Sequence, residues 1–82
     1  MADRQDLIRA VDLALAGDWD AAHSIVQKYE DDADACWIHA VLHKTEGDAA
    51  NSRYWYRRTM HAYEAYADPR QELQAIKAAL TY

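Results

Sequence analysis

The chain has 82 residues, 51% of them hydrophobic, with only two glycines and one proline. That composition excludes disordered and collagen-like classes and favours a small helical domain. The formal net charge of −5 argues against a general binder of nucleic acid or anionic membrane. A single cysteine, Cys36, excludes an internal disulfide and suits a reducing compartment. No apolar run approaches the ~20 residues of a membrane span. The opening MADRQDLIRAVD lacks the hydrophobic region of a leader, so the expected location is cytoplasmic.

Periodicity predicts an all-α fold of five helices, over about residues 3–16, 19–30, 33–46, 49–67 and 69–81. In the first, Leu7, Ile8, Val11, Ala14 and Leu15 form one apolar stripe, and Gly17 ends it. Asp18 opens the second, whose apolar face is Trp19, Ala22, Ile25, Val26 and Tyr29. His23 lies off the centre of that face and reads as structural or exposed. Glu30, Asp31 and Asp32 oppose the helix dipole at its end, and Asp32 is placed to cap the third helix. The third is apolar over most of its circumference, the mark of a buried helix. Gly47 closes it and Asp48 opens the fourth. Asp68-Pro69 restarts the chain, and Leu73, Ile76 and Leu80 give the last helix one apolar stripe, as expected of an end cap.

The Gly-Asp pairs at residues 17 and 47 stand 30 residues apart, each joining two striped helices. That spacing predicts two antiparallel hairpins plus a C-terminal capping helix. The string GDWDAAHSIVQKY resembles the second half of a tetratricopeptide repeat, and YWYRR is similar to the ends of Sel1-like repeats. The resemblance covers roughly residues 3–66, with a period shorter than the usual ~34 residues. The chain as a whole is similar to a group of small bacterial proteins that carry GDW…AH, WIHAxLH and YWYRR, a resemblance that implies no activity. Tetratricopeptide repeats bind peptides on the concave face of their first helices. Carried over, that implies a groove of Asp34, Trp37, Val41 and Lys44 with Leu7, Val11 and Ala14.

Two groups of residues carry candidate chemistry. His39, His43 and Glu46 fall at i, i+4 and i+7 on one helix, a spacing from which two imidazoles and a carboxylate reach one divalent metal ion. Cys36 or His61 is the candidate fourth ligand. Against this stands the simpler reading of interior histidines hydrogen-bonded to their neighbours, with Cys36 as a small buried side chain. Tyr54, Arg57 and Arg58 form a candidate anion site, because guanidinium forks match carboxylate and phosphate; Arg53 reads as a solvated neighbour. There is no nucleophile–base arrangement and no glycine-rich phosphate loop.

The expected function is therefore a non-catalytic interaction module. Its partner is a protein segment or a second copy of the chain, in a homodimer built on the first and third helices. No cofactor is expected in that reading. The alternative is a small-molecule or metal-binding protein, enzyme included, that uses His39, His43 and Glu46.

Overall fold

The computed structural model describes residues 2–81. Its described residues form five α-helices: α1 (Arg4–Leu15), α2 (Trp19–Val26), α3 (Ala33–Glu46), α4 (Ala49–Tyr56) and α5 (Pro69–Thr81). A 3₁₀ turn, Tyr63–Ala65, lies between α4 and α5, and the described residues contain no strand. None of the helices is long and apolar enough to cross a membrane.

The two Gly-Asp pairs make the same turn twice. Gly17 and Gly47 have φ of 88° and 86°, a left-handed conformation in which a side chain would be strained. After each glycine, the aspartate N–H returns to the helix just ended: Asp18 to the Leu13 carbonyl and Asp48 to that of His43. The same aspartates then cap the next helices, accepting from the amides of Ala21 and Asn51 at 3.2 Å each. Asp32 caps α3 through the Ala35 amide at 3.0 Å.

Two helices are shorter than the sequence predicts. Helix α2 stops at Val26, and residues 27–32 turn so that Asp32 can cap α3. Helix α4 stops at Tyr56 instead of running to residue 67. There the Thr59 hydroxyl donates to the Tyr56 carbonyl at 2.7 Å and accepts from the His61 amide at 3.0 Å, diverting the chain into a strap over residues 57–68. Tertiary contacts hold the strap: the His61 ring stacks on Trp37 at 3.5 Å, and the Lys44 ammonium donates to the Tyr66 carbonyl.

Helices α1 and α2 form one hairpin, α3 and α4 the other, and α5 packs on both α1 and α3. The extents are 27 × 25 × 24 Å. This placement corrects one expectation: the expected peptide groove is filled from within. Leu7, Val11, Trp37 and Val41 are buried, and Leu73, Ile76 and Leu80 of α5 share their core. The Lys44 side chain is 7% exposed, and of the seven residues expected to line the groove only Asp34 is exposed. A homodimer on the α1 and α3 faces would have to displace α5 first.

Under α5 lies a buried ionic network. Glu72 has no exposed surface. Its carboxylate accepts from the Trp37 indole at 2.8 Å, the Tyr56 hydroxyl at 2.6 Å and the Lys44 ammonium at 2.7 Å. The ammonium also stands 4.8 Å from the centre of the Tyr56 ring. Burial, followed by this bond to Glu72, raises the Tyr56 hydroxyl pKa far above its ordinary value. Every buried side-chain nitrogen and oxygen among the described residues has a partner, as a thin core requires.

Candidate functional site

Helices α2 and α3 bring three histidines together. His39 and His43 are neighbours on α3, one turn apart, with ring centres 5.0 Å apart. His23 reaches them from α2: its Nε2 shares a hydrogen bond of 3.1 Å with Nε2 of His39. One ring nitrogen of each of the three lies within 4.8 Å of the others. His39 and His43 are buried, and His23 is half-buried.

The rings are held from outside by aromatic side chains. Trp19 stacks on His23 at 4.6 Å, and Trp55 stacks on His39 at 3.9 Å. The Trp19 indole is itself fixed by donating to the Leu42 carbonyl at 2.7 Å. Glu46 orients the third ring, its carboxylate lying 2.6 Å from Nδ1 of His43. An ionised carboxylate only accepts, so this bond places a proton on Nδ1; in the neutral tautomer that goes with it, Nε2 carries the lone pair. Asp48 adds a second carboxylate beside His43 and Glu46.

The electrostatics favour the neutral form of His39 and His23. Burial, with the neighbouring His23 and His43 adding to it, pushes His39 down to about 3. Burial also lowers His23, with His43 adding to it and Glu46 and Asp20 opposing. Neutral imidazoles are the form that ligates metal. Two nitrogens bound tetrahedrally at about 2.0–2.1 Å lie roughly 3.3 Å apart, close to the 3.1 Å between the Nε2 atoms of His23 and His39. The site offers three nitrogen ligands with a carboxylate behind one of them, as in many histidine metal centres.

The remaining candidates are placed elsewhere. Cys36 donates its thiol to the Glu30 carbonyl at 3.2 Å, and burial raises its pKa, with the Arg58 hydrogen bond opposing. His61 lies on Trp37 and is absent from the histidine cluster. The anion candidates divide. Arg58 donates to the Tyr54 hydroxyl and the Glu30 carbonyl, while Arg57 lies in a separate pocket with Arg53, Tyr56, His61, Tyr63 and Glu64.

The sequence reading missed His23. Its signal was the i, i+4 spacing from Trp19, which puts the ring on the face that Trp19 turns toward α3. The chain matches no protein-family model, no curated protein and no solved structure in comparisons with each.

The neutral His39 ring predicts an acid-sensitive metal-free protein. Its folded pKa lies below that of the unfolded chain, so the unfolded chain takes up the proton first. The ring's contribution is fully present above about pH 6.5 and is lost as the pH falls toward about 3. The urea midpoint should therefore drop between about pH 7 and about pH 5.5, before most carboxylates titrate. His39→Leu should flatten that drop. An equally steep fall in the variant would place its origin elsewhere.

Proposed function

We propose that this protein binds a divalent transition-metal ion through His23, His39 and His43, with Glu46 orienting His43. The observation that carries the reading is the 3.1 Å approach of the His23 and His39 Nε2 atoms from different helices, with His43 beside them. In the metal-free state one proton lies between these two nitrogens. His23, His39 and His43 would hold the ion through ring nitrogens, and the donor ring of the His23–His39 pair would ligate as its Nδ1–H tautomer. Imidazole ligands suit zinc, copper and nickel. Three protein ligands leave one position of a tetrahedral site for water or another small ligand.

Titration calorimetry of zinc chloride into untagged, metal-free protein tests this reading. The expected result is one ion per chain, with His39→Ala and His23→Ala each weakening binding by about 100-fold or more. Heats no larger than those of dilution, or affinity unchanged in both variants, would reject the site.

A second reading, binding of a protein segment or of a second copy, is favoured by a different observation. Met60 is fully exposed and Tyr54 is 47% exposed, near the exposed Arg57 and Arg58. Methionine, tyrosine and arginine are enriched at interfaces. Tyr54 lies on α4 and Met60 on the strap that follows it.

A further inference from the structure

We propose that the pocket of about 270 Å³ between α4 and the strap binds a small molecule bearing carboxylate or phosphate groups. Arg53 and Arg57 would hold the oxyanion, and Glu64 is the internal group that the ligand displaces.

The two arginines are one turn apart at the end of α4, a spacing at which like charges repel. Glu64, on the 3₁₀ turn, answers only one of them: its carboxylate lies 2.6 Å from Nη1 of Arg53. The Arg53 guanidinium also lies over the Tyr63 ring, 4.2 Å from its centre. The Arg57 side chain has no hydrogen-bond or ion-pair partner among the described residues. The pocket thus already contains a carboxylate on one guanidinium and leaves the second unanswered. The hydrogen bond from Arg53 holds the Glu64 carboxyl below its ordinary range, so the internal anion is charged at neutral pH. A ligand oxyanion in its place would bridge both guanidiniums, whose planar forks match carboxylate and phosphate oxygens.

The exchange is feasible because the Arg53–Glu64 pair is solvated, with side chains 48% and 66% exposed. Pairs of that kind are weak. The strap does not depend on it. His61 on Trp37 and Tyr66 on Lys44 hold the strap on either side of Glu64, so the glutamate can swing out while the pocket wall stays in place. Tyr63 and His61 supply flat flanking surfaces.

The test is a titration followed by amide chemical shifts, with pyrophosphate and citrate as separate probes and chloride as the control at matched ionic strength. The expected result is saturable movement of the Arg53, Arg57 and Tyr63 amides, with a dissociation constant of roughly 1 mM for at least one probe. Glu64→Gln should tighten binding several-fold, and Arg57→Gln should weaken it about tenfold. Both side chains are exposed, so both variants should fold, and circular dichroism checks this. Preference for pyrophosphate assigns a phosphate ligand, and preference for citrate assigns a carboxylate. Linear shifts equal to those in chloride would overturn the proposal. So would an affinity that Glu64→Gln leaves unchanged.

Discussion

Glu72→Ala is expected to destabilise the protein by about 3–5 kcal/mol. The substitution removes one carboxylate that serves Trp37, Tyr56 and Lys44. It leaves two buried donors without an acceptor and a lysine with 7% of its side chain exposed without a counter-charge. A chain of 82 residues has roughly 4–12 kcal/mol of total stability, so the loss takes a large share of it and unfolds the variant if the parent lies at the low end of that range. Lys44→Met should cost less, because the Glu72 carboxylate keeps two donors. The double variant Lys44→Met/Glu72→Ala should be more stable than Glu72→Ala alone, because the stranded cation is gone. Urea unfolding followed by far-ultraviolet circular dichroism measures all three. A Glu72→Ala loss below about 1 kcal/mol would show that the network contributes little beyond an exposed ion pair.

Val41→Glu is expected to melt the helices. Val41 has no exposed surface and shares its core with Val11 of α1 and Ile76 of α5. A carboxylate there has no partner, and a buried unpaired charge costs several kcal/mol. Sedimentation equilibrium and circular dichroism on the same sample separate two outcomes. Loss of helical signal places Val41 in the core. A fully helical variant that differs from the parent only in its mass would place Val41 at an interface between copies, as the sequence alone suggested. If the parent self-associates, Met60 and Tyr54 are the exposed large hydrophobic side chains among the described residues.

The five helices were legible because their ends are written in local chemistry. Gly17-Asp18 and Gly47-Asp48 each supply a left-handed residue and then a capping carboxylate, and few residue types meet either requirement. The early end of α4 was not legible. No glycine or proline lies between Asp48 and Asp68. What stops the helix is the Thr59 hydroxyl on its own chain, the Trp37 face that receives His61, and the ammonium that receives the Tyr66 carbonyl. Two of those three contacts come from α3, which no window around residue 60 contains.

The site was half legible. His39 and His43 declared themselves by spacing on one helix, and Glu46 by lying one turn beyond His43. His23 needed the packing of α2 on α3 to be known. Glu72 was hidden differently. It lies on the stripe that Ile76 and Leu80 extend at intervals of four, but a charged residue there reads as the stripe's polar edge. Its burial follows from a lysine and two aromatic donors on α3 and α4, which sequence does not place opposite it. The groove expected on α1 and α3 failed for a related reason. Residues apolar enough to line a groove are equally suited to a core, and α5 was long enough to cover them.

Cobalt(II) tests the proposed metal site at His23, His39 and His43 most directly. Cobalt replaces zinc in nitrogen-ligand sites, and its visible absorption reports coordination geometry. Titration of untagged, metal-free protein with cobalt chloride is predicted to give intense visible bands of four-coordinate cobalt that saturate at one ion per chain. Trp19 and Trp55 fluorescence should quench in parallel, since their indoles stack on His23 and His39. Zinc should displace the cobalt, and His39→Ala should not develop the bands. A spectrum that stays that of hydrated, six-coordinate cobalt throughout, or bands that persist undiminished in His39→Ala, would contradict the account.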